Sequence, residues 1–163
     1  DTRKPREEAV SKTGQVDPNT LVDPKFIGIP YKLGRQGFDG ADCVGLAILW
    51  LKETLGVEYE YDDRQGAILA HWYEHAPGRF ANAFLGLGEQ VRFHEIRKYD
   101  CLLFILGNEM TSFPSCMGIM VDNRHFLASL EKSDSFVSML DTDWKAKFWA
   151  AIRLHKVKEA LHE

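Results

Sequence analysis

The chain has 163 residues, 45% of them hydrophobic and 27% charged, which suits one globular domain with a substantial apolar core and makes a second domain unexpected. Its formal net charge is −4, so it lacks the basic footprint of a nucleic-acid binder. Apolar runs such as Leu46 to Leu51 and Cys101 to Leu106 are too short to cross a bilayer, and no signal-peptide pattern opens the chain, so a soluble protein is expected.

Residues 1–23 carry clustered charge, few apolar residues, and turn signals at Asp17-Pro18 and Asp23-Pro24. They read as an extended, solvated arm. Phe26 to Gly34 leads into Phe38-Asp39-Gly40-Ala41-Asp42-Cys43, a tight turn that delivers a cysteine onto a helix. Val44, Ala47, Ile48, Leu51 and Leu55 recur at helical spacing, and Gly56 suits a C-cap. Cys43 therefore opens the helix, where unpaired N–H groups and the positive end of the macrodipole favour a thiolate. This makes Cys43 the first candidate nucleophile.

Val57 to Tyr61 reads as an extended piece, and Asp62 or Asp63 as the cap of a second helix ending near Ala76. His71 and His75 sit four apart on that helix, with Glu74 between them. The glutamate is misplaced for the zinc-protease signature and no third ligand is evident, so surface or packed histidines are the preferred reading. A loop with a short helix is expected from Arg79 to Gly88. The remainder has strand character: Val91 to Phe93 with Glu95 to Arg97, then Tyr99 to Leu106, then a hairpin of Cys116 to Val121 and His125 to Ser129 turning at Asp122-Asn123. Gly107 to Pro114 reads as a loop, Phe136 to Leu140 as a strand, Trp144 to Phe148 as a helical turn and Ala150 to Leu154 as a last strand, before a charged tail over 156–163. Cys101, inside an apolar run, reads as a buried, inert thiol. Three cysteines without framework spacing speak for a reducing compartment rather than a disulfide scaffold.

The run Gly28-Ile29-Pro30-Tyr31-Lys32-Leu33-Gly34, followed by Gly40-Ala41-Asp42-Cys43-Val44-Gly45-Leu46, resembles the N-terminal half of an NlpC-type cysteine peptidase. There a Pro-Tyr-x-x-Gly segment precedes Asp-Cys-x-Gly-Leu. The Gly-Ala-Asp-Cys flavour is similar to the branch encoded by tailed bacteriophages. The resemblance covers roughly Phe26 to Leu154. It implies an α+β, papain-like NlpC-type core over residues 24–155, with the cysteine-bearing helix packed on an antiparallel β-sheet. It also implies that Tyr31 lies beside Cys43, and that Tyr99-Asp100 stands where the family has Gly-Asp.

A cysteine hydrolase needs a histidine in reach of its thiol and a third polar group to orient that histidine. In the resembled pattern the histidine opens a His-hydrophobic-Gly-hydrophobic strand. Here the frame reads Cys116-Met117-Gly118-Ile119, so Cys116 replaces the base. The orienting position falls at Ala128, with Ser129 beside it. His125 is an odd number of residues from Ala128, which sends it to the opposite face of a regular strand, and nothing in the sequence recommends His94.

Cys43 and Cys116 facing each other suggest a disulfide or half of a zinc site, but the preferred reading is two reduced thiols in a former active site, with no cofactor and no metal. Three functions follow from the resemblance. The first is a bacteriophage tail-tip or tail-assembly protein, made in the host cytoplasm and resident in the virion, with an impaired peptidase site and contacts to other tail proteins through 1–23 and 156–163. The second is an active tail-borne murein endopeptidase using Cys43. The third is a module that binds the peptidoglycan stem peptide without cutting it.

Overall fold

A computed structural model of the chain describes residues 16–59, 84–106 and 115–163. The helix expected over 62–76 with His71 and His75, the loop at 107–114, most of the loop from 79, and the first part of the arm lie outside these residues.

The expected α+β architecture is present. Two short strands, β1 (Gln36–Gly37) and β2 (Gly40–Ala41), form an antiparallel hairpin that hands the chain to helix α1 (Cys43–Leu55). Then follow β3 (Gly88–Val91), β4 (Cys101–Phe104), β5 (Cys116–Met120), β6 (His125–Leu130), β7 (Ser133–Met139), helix α2 (Thr142–Lys147), β8 (Phe148–Leu154) and helix α3 (His155–Ala160). Among the described residues β3 to β8 make one sheet in the order β3-β8-β4-β5-β6-β7, with every pairing antiparallel. No helix of the described residues is long and apolar enough to cross a membrane.

The hairpin at Asp122 forms because that carboxylate accepts the N–H groups of Arg124 and His125 at 2.7 Å each, an Asx-type turn that fixes the β5–β6 register. Partial burial of the Asp122 carboxyl opposes its ionisation, but these N–H donors and the His125 ring outweigh that and hold it below its ordinary value. A depressed carboxyl stabilises the fold fully above its unfolded value of 3.8, and the contribution is lost as pH falls through the folded value. Asp122→Ala is therefore expected to lose about 1 kcal/mol in urea unfolding at neutral pH. The loss should shrink below about pH 4; a deficit that persists unchanged in acid would show that the carboxylate is not its source.

One face of the sheet, carrying Cys101, Leu103, Met117, Ile119, Leu127 and Ile152, packs with α1 into the main core. α1 rests on β5 and β6 while the β1–β2 hairpin covers its start, so Leu46, Leu49 and Trp50 are buried beyond the expected stripe. The other face, carrying Leu102, Phe104, Cys116, Met120, Phe126 and Ala128, makes a second apolar cluster capped by Trp144 of α2, whose ring centroid lies 4.9 Å from those of Phe104 and Phe126.

The ends differ from the expected free segments. Asp17 and Asp23 cap two 3₁₀ turns, Pro18–Leu21 and Pro24–Phe26. Asn19 Oδ1 accepts the Val137 N–H at 2.9 Å, and Ser135 exchanges backbone bonds with Gly28 and Ile29. Residues 16–29 thus cover the outer edge of β7. At the other end α3 docks on β8 and β3 through Val157, 2% exposed, and Ala160. Arg97 pairs with Glu163 and Lys158 with Glu89. Charge dominates the composition of 156–163, but one apolar stripe three residues apart is enough to seat a helix. The expected strand at Val91 to Arg97 is also shorter: β3 ends at Val91, and Phe93–Glu95 forms a 3₁₀ turn.

Candidate functional site

The two sequence segments that carry the resemblance are stitched together around Ala41 and Asp42. The Ala41 N–H donates to the Pro30 carbonyl at 3.0 Å and the Lys32 N–H to the Ala41 carbonyl at 3.2 Å, which lays Tyr31 alongside β2. Gly34 then turns with φ of 77°, a left-handed conformation that favours glycine. Its N–H donates to Asp42 Oδ2 at 2.8 Å. The other oxygen, Asp42 Oδ1, accepts the Gly45 N–H at 2.7 Å and caps α1. One buried carboxylate, 2% exposed, thus fixes both the turn and the helix start that presents Cys43. The sequence reading passed over Asp42, although an aspartate three residues before a glycine at a helix start is a recognisable cap.

Cys43 is the first residue of α1 and is partly exposed. Its side chain packs against both apolar clusters, the second of which contains Cys116. Cys116 is the first residue of β5, 2% exposed, with its sulfur also 3.6 Å from the Met117 carbonyl that it can donate to. The hydrogen bond to Cys43, burial, and repulsion from the Cys43 sulfur push the Cys116 thiol well up from its ordinary value. Tyr31 lies beside this pair: burial first, then the negative charge of Cys43 and Asp42, raises its phenol. Glu131 also acts on that phenol, and nothing in the sequence signalled it.

Ala128 stands opposite Gly118, 1% exposed, on the same sheet face as Cys116. The structure therefore brings Tyr31, Cys43 and Cys116 together, and puts an alanine on the Cys116 face where the pattern calls for a polar group. Ser129 lies at a register irregularity between β6 and β7, its hydroxyl buried without a hydrogen-bond partner. His125 is bound to Asp122 through Nδ1 at 3.0 Å, and His94 is a surface residue near Glu95. The groups acting on Cys116 and Tyr31 are the cysteines, Asp42 and Glu131; no histidine of the described residues is among them. Cys101 is buried on the α1 face of the sheet, its thiol pushed up to about 12 by burial and by Asp100.

No group of three or more His, Cys, Asp or Glu among the described residues is arranged to hold a metal. A cleft of about 850 Å³ opens elsewhere, along Ile48, Leu49, Lys52 and Tyr59, and does not include the thiol pair.

No protein-family model and no curated protein matches the chain. Solved structures do. The NlpC/p60 domain of the peptidoglycan hydrolase SagA aligns at a TM-score of 0.50 and 17% identity, covering 80% of this chain and 92% of that one. An NlpC/P60 family protein from Bacillus cereus aligns at 0.56 and 17%, covering 83% of this chain. A lipoprotein-like NLP/P60 family protein from Staphylococcus aureus aligns at 0.50 and 15%, covering 80%. The chain spans 38% of the length of each of the last two. At these identities the likeness is one of architecture, and the chain has the fold of an NlpC/p60 domain.

Proposed function

We propose that this chain is a structural component of a bacteriophage tail tip or tail-assembly apparatus, resident in the virion, that reuses an NlpC/p60 fold with its peptidase site silenced. The observation that carries the silencing is the Cys43–Cys116 pair: beside Cys43 lies a second, buried thiol, at the position that the resemblance assigns to the base, as it assigns Ala128 to the orienting group. A thiol raised above its ordinary value does not serve as a base near neutral pH. Loss of a triad member lowers kcat on the order of 10⁴ to 10⁶. The phage placement is supported by the Gly40–Leu46 turn, and the expected partners are other tail proteins.

The test is incubation of the purified chain with muropeptides, with Cys43→Ala as control and binding measured in parallel by calorimetry. Neither turnover nor saturable binding is expected, and the chain should co-purify with tail structures of its phage. Turnover abolished by Cys43→Ala would make it a murein endopeptidase instead. Saturable binding without turnover would make it a stem-peptide binding module.

A further inference from the structure

We propose that Cys43 and Cys116 are a reversible dithiol–disulfide pair, in which Cys43 is the thiol that solvent reagents reach and Cys116 the thiol that resolves it. Cys43, at the start of α1, packs against the apolar cluster that contains Cys116, at the start of β5. One is partly exposed and the other is 2% exposed. Each is the first residue of its element, so neither sits in the middle of a helix or strand that would have to deform. A disulfide needs the sulfurs to close to about 2.05 Å, with the Cα atoms within about 7 Å. Side chains that pack against one another at the starts of their elements can close by a shift of the first turn of α1. Cys101 points to the opposite face of the sheet from Cys116, and burial and Asp100, not Cys43, are what act on its thiol.

The chemistry balances with a low-molecular-weight disulfide, such as oxidised glutathione, as the oxidant. The Cys43 thiolate attacks one sulfur, the S–S bond breaks, and one glutathione leaves as thiolate. Cys116 then gives its proton to solvent and attacks the Cys43 sulfur of the mixed disulfide, displacing the second glutathione thiolate. Two protein thiols are oxidised, one disulfide is reduced to two thiols, and the two protons end on the glutathiones. Because the Cys116 thiol is held protonated by its surroundings, the second step accelerates as pH rises. The bond forms without any muropeptide, so its outcome is independent of the function proposed above.

The test treats the reduced full chain with oxidised glutathione, quenches with N-ethylmaleimide, and reads intact mass and a non-reducing peptide map. The wild type is expected to lose the mass of two hydrogens and to yield a linked Cys43–Cys116 peptide that dithiothreitol reverses. Cys116→Ser should stop at a glutathione adduct on Cys43, and Cys43→Ser should take up none. A wild-type chain that ends as a stable adduct on Cys43, that links Cys101, or that does not react at Cys43 overturns the proposal. The wild-type result decides alone if a variant does not fold.

Discussion

Replacing Asp100 by alanine is expected to lower the stability of the domain by about 3–5 kcal/mol in urea unfolding. Asp100 is 1% exposed and its carboxylate accepts Arg153 Nε at 3.0 Å, Arg153 Nη2 at 2.9 Å and the Arg97 N–H at 3.0 Å. The arginine side chain is itself only 14% exposed, and its guanidinium is held further toward the charged form by this carboxylate. Alanine removes three acceptor contacts at once and leaves a sheltered cation whose remaining hydrogen bond among the described residues is to the Glu95 carbonyl, 3.0 Å from Nη2, with Glu89 and Glu163 acting on it from farther off. The pair also ties the start of β4, a central strand, to its neighbour β8. Asp100→Asn should lose less, because it still offers an oxygen to the Arg97 N–H. Adding Arg153→Met to the alanine variant should recover part of the loss, because the uncompensated charge is then gone. A single-variant loss below about 1 kcal/mol would mean that solvent reaches the guanidinium and screens it.

The residue before Asp100 shows what a substitution within a familiar pattern conserves. Tyr99 stands where the resembled family has glycine, and its own backbone lies in the left-handed region that favours glycine, with φ of 75°. Its N–H donates to the Met120 carbonyl at 2.8 Å. A non-glycine residue in that region costs about 1–2 kcal/mol. The ring offsets part of this by packing on Trp50 of α1 at 5.1 Å between centroids. The sequence showed the exchange but not its compensation, because Trp50 and Tyr99 meet only in three dimensions.

The same division runs through the chain. Helix α1 and the β5–β6 hairpin were legible because apolar periodicity, a closing glycine and an Asp-Asn turn are all local signals. The site was legible as a pair of frames, and the contact between Cys43 and Cys116 is what those frames put together. What escaped depends on distant partners. Charge concealed α3, whose Val157 finds its apolar neighbours on the domain. The β3 boundary was misplaced because Phe93 turns to stack edge-on against Phe148 at 5.1 Å rather than continuing the strand. Residues 1–23 read as a solvated arm and Phe26 to Gly34 as a lead-in to the cysteine turn, yet the β7 edge supplies backbone groups that Asn19, Gly28 and Ile29 satisfy.

Gly45→Ala is the second substitution with a large expected effect, a loss of about 3 kcal/mol in urea unfolding. A β-carbon at this position would lie 1.9 Å from the Arg35 carbonyl oxygen, 2.8 Å from its carbon and 3.1 Å from the Gln36 Cα. All three obstacles are backbone, so no side chain can swing aside; either α1 lifts or the chain entering β1 retreats. Retreat is resisted because the Arg35 carbonyl also accepts the Asp42 N–H at 3.2 Å, and Asp42 holds Gly34 and Gly45 together. The gain from replacing a helical glycine by alanine, up to about 1 kcal/mol, works against the clash, so the measured loss understates it. Because Cys43 sits on the same turn, the variant should also slow closure of the Cys43–Cys116 bond relative to wild type. A variant as stable as the parent would mean that the β1–β2 hairpin does not press on α1. The glycine of the Asp-Cys-x-Gly frame would then owe nothing to the seat it gives the cysteine.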